Sequence, residues 1–138
     1  MTWFADLSEC SYFGDKHTKY LRAVGWLDRG KPFLKERIDE IVFRKLSQLF
    51  EDPWQPLMFM GWHECNLCPG RSRAPSHRNL FIPGNDVMYV SPEGILHYIT
   101  KHSYAPPSEF KQAVIACPPM SSGAYFAALG DLARQLAE

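Results

Sequence analysis

Residues 61–70 of the chain read Gly-Trp-His-Glu-Cys-Asn-Leu-Cys-Pro-Gly. The two cysteines, Cys65 and Cys68, are separated by two residues, and a Pro-Gly turn follows them directly. Two thiolates at this spacing can bind one tetrahedral metal ion from a tight turn. We therefore expect the segment to form one half of a metal site that ties two distant parts of the fold together.

The second half of the predicted site is a pair of histidines, His97 and His102. Together with the cysteines they form the pattern Cys-x2-Cys-x28-His-x4-His. Zinc prefers four ligands drawn from thiolate sulfur and imidazole nitrogen, and this mixed set favours zinc over iron. We predict a zinc site formed by Cys65, Cys68, His97 and His102. Its role should be structural, because four protein ligands leave no coordination position open.

Helix geometry raises one objection to this ligand set. On a regular helix, residues five apart are rotated by about 140°, so His97 and His102 would not share a face. They can bind one ion if His102 lies at the end of its helix, as the following segment 104–107, Tyr-Ala-Pro-Pro, indicates. His63 is the alternative fourth ligand, or a partner that orients a ligand, because His63 and Cys65 share one side of a continuous strand.

The Cys pair can also be interpreted without a metal. The two thiols could be packed and inert, or they could form a redox pair. The redox reading is weaker, because Pro69-Gly70 follows the second cysteine and no helix begins there to lower a thiolate pKa. Metal binding remains the leading interpretation of the pair.

A catalytic zinc is the main alternative to a structural one. A zinc-dependent hydrolase keeps one metal position open for water, and His63 or Glu64 would then act near the metal, with Tyr104 at its rim. The His-Glu-x-x-His motif of metalloproteases is absent. The zinc deaminase pattern also fails, because the His-Glu pair is fused to the Cys pair. The sequence therefore argues against an enzyme and assigns no catalytic residue.

A relationship to His-Asn-His nucleases is a minor alternative. The Cys pair and Asn79-Leu80 resemble features of the zinc-containing forms of those enzymes. A second Cys pair and a catalytic Asp-His strand are missing from the sequence.

The pattern of apolar residues predicts a single α+β domain over residues 1–138. Residues 1–20 read as an extended aromatic arm. Helices are predicted at 38–50, from Ser91-Pro92 to about 102, at 109–116, and near the C-terminus around Tyr125, Leu129, Leu132 and Leu136. Strands are predicted at 21–27, 57–62, 79–82 and 87–90, the last two as a hairpin. We expect an antiparallel sheet of about four strands with helices on one face.

Composition limits the possible partners. The 15 basic and 15 acidic residues cancel, which argues against a nucleic-acid binder, since phosphate contacts need a basic excess. No apolar run approaches the roughly 20 residues of a membrane helix, and no signal peptide is visible, so we expect a cytoplasmic protein. Aromatic residues make up 14% of the chain, which favours a protein partner. A patch that could bind an anion or a partner is formed by Arg71, Arg73 and Arg78. The simpler interpretation is that these arginines belong to a solvated loop.

Three motifs together resemble a known family. They are Val24-Gly25-Trp26-Leu27-Asp28, His63-x-Cys65-x-x-Cys68 and the run from His97 to Phe110 that reads His-Tyr-Ile-x-x-His-x-Tyr-x-Pro-Pro-x-x-Phe. The chain resembles, from its N-terminal arm to about Val114, a family of small uncharacterised bacterial proteins, a domain of unknown function. The resemblance implies a bacterial cytosolic origin. It also implies a signature set of five candidate ligands for four positions: His63, Cys65, Cys68, His97 and His102.

Overall fold

A small mixed sheet organises the fold in the computed structural model, which describes residues 2–56, 63–68, 72–76 and 78–137. The α+β class is confirmed. In chain order the elements are β1 (Leu21–Ala23), α1 (Glu40–Leu49), β2 (His63–Cys65), β3 (Ser72–Ser76), β4 (Asn79–Pro83), β5 (Met88–Pro92), α2 (Ile95–His102), α3 (Ser108–Ala116), α4 (Gly123–Leu129) and α5 (Asp131–Ala137). The strand predicted at 57–62 lies outside the described residues.

The central sheet has the strand order β1-β5-β4. Strands β4 and β5 form the predicted antiparallel hairpin, in which Phe81 pairs with Val90. Strand β1 instead runs parallel to β5, with Ala23 opposite Val90. Strands β2 and β3 form a separate two-stranded sheet. The predicted antiparallel sheet of about four strands is therefore wrong: the described residues form a mixed sheet of three strands, because the chain between β1 and β5 is long enough for a parallel crossover.

Strand β1 ends earlier than predicted because the chain turns at Gly25. This residue has a φ of +83°, which an L side chain rarely adopts, and a Cβ there would lie 2.9 Å from Ile95. The Gly25 N–H donates to Asp6 Oδ1 over 3.1 Å. The N-terminal arm lies along β1, where the N–H of Leu7 donates to Ala23 O at 2.7 Å and the N–H of Cys10 donates to Leu21 O at 3.1 Å. The arm, β1 and the start of α2 are thus packed together.

Helix α1 follows the amphipathic pattern of the sequence. Asp39 is its N-cap and accepts from the Ile41 N–H over 2.8 Å, which satisfies one of the free donors of the first turn. Leu46 and Leu49 are buried. The predicted helix at 38–50 is confirmed, with a start two residues later than expected.

Two other helix predictions need correction. Ser91 and Pro92 do not start α2, because Ser91 pairs with Leu80 and Pro92 with Asn79 as the last residues of β5. Gly94 is the N-cap of α2 instead. The C-terminal helix is divided into α4 and α5 at Gly130, whose φ of +62° ends the helical backbone.

The core packs the sheet against the helices through large aromatic side chains. Its largest fully buried members include Trp26, Tyr98, Tyr104, Tyr125, Phe50, Phe81 and Phe110. The Tyr104 hydroxyl donates to Asp6 Oδ2 over 2.7 Å, which anchors the chain directly after α2. Ile95 and Tyr98 are the buried residues of α2. Helix α2 is therefore held firmly at both ends. None of the helices in the described part of the chain is long and apolar enough to cross a membrane.

Candidate metal centre

Two elements distant in sequence bring the four predicted ligands together. Cys65 is the last residue of β2 and Cys68 lies in the turn after it, while His97 and His102 belong to α2. Their ligand atoms all lie within 4.8 Å of one another. Cys65 is buried, and the other three side chains are half-buried. The four residues form a group that could hold a metal ion.

The distances between these atoms suit a tetrahedral ion. Cys68 Sγ lies 3.2 Å from His97 Nε2 and 3.2 Å from His102 Nε2, and Cys65 Sγ lies 3.4 Å from His102 Nε2. Around a zinc ion with ordinary bond lengths, a sulfur and a nitrogen ligand are separated by about 3.6 Å. His102 Nε2 contacts both sulfurs, although its single proton or lone pair makes only one well-directed hydrogen bond at a time.

The end of helix α2 explains how two histidines five residues apart converge. His102 is the last helical residue, and Ser103 after it has a left-handed φ of 56°. The N–H of Tyr104 donates back to Tyr98 O at 3.1 Å and closes the helix end. The rings of His97 and His102 are 5.2 Å apart, and both Nε2 atoms contact the same sulfur. On a regular helix, a rotation of about 140° would separate these two histidines. The end of α2 at His102 brings their rings together instead.

A second turn of the chain supports the cysteines, and the sequence pattern did not reveal it. Arg29 Nε donates to Asn66 O at 2.7 Å, and its terminal NH2 group donates to Cys68 O at 3.2 Å. The Asn66 side chain in turn donates to Asp28 Oδ1. Backbone N–H groups of Leu67 and Cys68 also donate toward Cys65 and favour its thiolate. The Asp28-Arg29-Gly30 segment had only the signature of a turn.

Burial shifts the pKa of three of these side chains. It raises the pKa of the Cys65 thiol, with hydrogen bonds from Leu67 and Cys68 opposing the shift. It lowers the pKa of His97, as do the neighbouring charges of His102 and Lys101. Burial also lowers the pKa of His102. The imidazoles are therefore neutral near pH 7, which is the form that binds metal, whereas the Cys65 thiol must release a proton.

The other predicted site residues either have side chains outside the described part of the chain or make their contacts elsewhere. The backbone of His63 lies in β2, but its side chain is outside the described residues, as are Arg71 and the side chain of Arg73. Arg78 forms an ion pair with Glu93 and donates to the backbone O of Glu51. The proposed three-arginine patch stays a prediction, because only Arg78 of the three has a described side chain.

Tyr104, proposed at the rim of a hydrolase site, instead donates its hydroxyl to Asp6. The side chain of Tyr104 is fully buried, so it is not available to a substrate at the surface of the metal group.

The fold and the site define a small α+β protein with a Cys2His2 group shared between a strand-turn and a helix. The family described as a domain of unknown function (DUF7919) matches residues 2–115. The chain belongs to this family, which confirms the resemblance to an uncharacterised family. The matched region contains the four ligands and ends within α3, before α4 and α5. No curated protein and no solved structure matches the chain.

Proposed function

We propose that the chain is a single-domain zinc protein whose metal has a structural role. The observation that carries the proposal is the convergence of two sulfur and two nitrogen donors within 4.8 Å. Zinc in structural sites prefers this ligand set and coordination number. Bound zinc would connect the turn after β2 to helix α2. Such a connection would stabilise a fold whose strands are only three to five residues long.

The donor set also separates a structural from a catalytic zinc. Cys65, Cys68, His97 and His102 would fill all four positions of a tetrahedral ion, whereas a hydrolytic site keeps one position for water. A zinc-dependent hydrolase is therefore the second candidate and needs one of the four residues to stay unbound. Because free thiolate ligands persist in a reducing compartment, we propose a cytoplasmic location. The proposed bacterial origin rests on the family resemblance alone.

Metal analysis and X-ray absorption test the site directly. We expect purified protein to contain about one equivalent of zinc and to show two sulfur and two nitrogen ligands. A Cys68→Ser variant should lose the metal, while Lys101→Ala, an exposed neighbour of His102, should retain it. Less than half an equivalent of any metal in protein purified without refolding would contradict the proposal. Three protein ligands with one water would support the hydrolase instead.

We further propose that the protein acts by binding another protein, as an immunity- or regulator-like protein does. Ile41 at the start of α1 is 67% exposed, and Ile115 on the neighbouring helix α3 is 48% exposed. Large apolar side chains on a surface are typical of protein-binding sites. A shallow groove of about 340 Å³ between these two helices is lined by Asp39, Val42, Lys111, Gln112 and Ile115. This surface supports a partner that presents apolar side chains.

Co-purification from the native cell tests the partner proposal. We expect one protein to bind the wild type in stoichiometric amount and to be lost from Ile115→Glu, because the substitution places a charge in the apolar groove. Leu34→Glu is the control, since Leu34 is 57% exposed and does not line that groove. Equal binding by the wild type and Ile115→Glu would rule out this surface.

A further inference from the structure

The turn formed by Asp28 and Arg29 makes a second layer of contacts behind the cysteine ligands. We infer that Arg29 is a positioning residue that holds the Cys turn, residues 65–68, in its metal-binding conformation and thereby slows metal release. The inference rests on the proposed metal site. Arg29 is not a ligand itself, because its contacts are to backbone oxygens of the Cys turn.

The guanidinium of Arg29 binds the turn at two points. Its Nε donates to Asn66 O at 2.7 Å, and its NH2 group donates to Cys68 O at 3.2 Å. The planar guanidinium presents these donors in a rigid arrangement that lysine cannot reproduce. The two acceptors lie on either side of Leu67, so the contacts fix the part of the backbone that carries Cys68.

The Asn66 side chain completes the connection from the opposite direction. Its Oδ1 accepts from the backbone N–H of Arg29 over 3.1 Å, and its Nδ2 donates to Asp28 Oδ1. Asp28 Oδ1 also accepts from the Arg29 N–H at 2.9 Å. The turns at 28–29 and 65–68 are therefore joined through both side-chain and backbone groups.

The turn at Asp28 and Arg29 follows a buried segment of the chain. Trp26 and Leu27, directly before it, are buried, and Trp26 Nε1 donates to Val90 O at 3.1 Å. A Cys turn held against such a segment has less conformational freedom to lose when metal binds. Residues that orient metal ligands typically contribute 10-fold to 100-fold to affinity. Because Arg29 is exposed, we expect its contribution to metal affinity to be near the lower limit of that range, about tenfold.

Metal transfer to a chelator tests the inference on the intact zinc-loaded protein. Arg29→Ala should bind zinc about tenfold more weakly, and release it faster to excess chelator, than the wild type. Its Co²⁺ absorption spectrum should match the wild type, because the ligands are unchanged. Arg29→Lys keeps the charge but not the paired donors. Its zinc affinity and release rate should lie between those of the wild type and Arg29→Ala. Arg37→Ala, which removes an exposed arginine outside the Cys turn, should behave as wild type.

The possible results separate this inference from the proposed metal site. If the wild type binds metal and Arg29→Ala matches Arg37→Ala in affinity and release rate, Arg29 does not position the turn. If Arg29→Lys retains full affinity, the effect comes from charge and the positioning role is wrong. If the wild type binds neither Zn²⁺ nor Co²⁺, both the metal site and the role of Arg29 are refuted. Circular dichroism of each variant without metal identifies any effect due to unfolding.

Discussion

The Nε2 atom of His102 lies 3.2 Å from the Sγ atom of Cys68, although 34 positions separate the two residues in the chain. This contact joins the turn after β2 to the last residue of α2 and encloses β3, β4 and β5 between its ends. A bond that closes such a loop removes conformational freedom from the unfolded chain. The predicted role of metal in stability follows from this closure.

Metal removal should lower the thermal stability of the wild type but not of a variant without the site. A ligand at 1,000 times its dissociation constant stabilises the folded state by about 4 kcal/mol, which corresponds to roughly 10–16 °C in melting temperature for a domain of this size. We expect a chelator to lower the wild-type melting temperature to that of Cys68→Ser in differential scanning calorimetry. The chelator should leave Cys68→Ser itself unchanged. An unaltered wild-type melting temperature would exclude a structural role.

The buried carboxyl of Asp6 should make stability depend on pH. Burial raises its pKa above the ordinary 3.8, although hydrogen bonds from Gly25 and Tyr104 oppose the shift. The folded state therefore holds the Asp6 proton to a higher pH than the unfolded state does. Its contribution to stability is present in acid and declines as the pH rises through the folded-state pKa.

Urea unfolding between about pH 3.5 and 7 measures this contribution. The free energy of unfolding of the wild type, relative to Asp6→Asn, should decrease as the pH rises. Asp15→Asn serves as the control, because it makes the same chemical change at an exposed position. A difference between wild type and Asp6→Asn that stays constant with pH would refute the prediction.

Gly25→Ala should destabilise the fold more than Gly30→Ala. Both glycines have a left-handed backbone, with φ of +83° and +84°, but only at Gly25 would a Cβ meet another residue, at 2.9 Å from Ile95. Backbone strain alone costs about 1–2 kcal/mol, and the overlap in the core adds about 1–3 kcal/mol. Chemical denaturation of both variants measures the difference. Equal losses would show that Ile95 shifts without cost.

Tyr125→Phe should weaken the attachment of α4 to the sheet. The Tyr125 hydroxyl is buried and donates to Phe81 O over 2.5 Å. Its removal leaves a buried carbonyl without this donor, which costs about 1–3 kcal/mol. Tyr20→Phe, at a half-exposed position, should change the free energy of unfolding by less than about 0.5 kcal/mol. Similar losses in the two variants would contradict a specific role for the Tyr125 hydroxyl.

Local patterns predicted those features that depend on neighbouring residues. The spacing of Ile38, Ile41, Val42, Leu46 and Leu49 indicated α1, because one face of a helix repeats every 3.6 residues. The Pro83-Gly84-Asn85-Asp86 segment indicated the hairpin of β4 and β5. The predicted start of α2 was wrong. The sequence Ser91-Pro92 resembles a helix start, but pairing with β4 keeps both residues extended.

The sheet and the support of the site depend on contacts that no local pattern encodes. Strand β1 has three residues, and its parallel partner β5 lies more than sixty positions later. Arg29 lies 37 positions before Asn66, and its sequence neighbours indicated only a turn. The Arg29 contacts bring together the turn that follows the buried residues Trp26 and Leu27 and the Cys turn.

The sequence by itself determined the α+β class, the helix α1, the hairpin and the chemistry of the ligand set, since soft sulfur and imidazole donors at these spacings suit zinc. Only the tertiary structure decided that Cys65, Cys68, His97 and His102 lie within 4.8 Å of one another. It also decided that Arg29 supports the Cys turn and that β1 pairs in parallel. The physical reason is that donor chemistry and helical periodicity are properties of single residues and their neighbours, whereas convergence requires the whole core to pack.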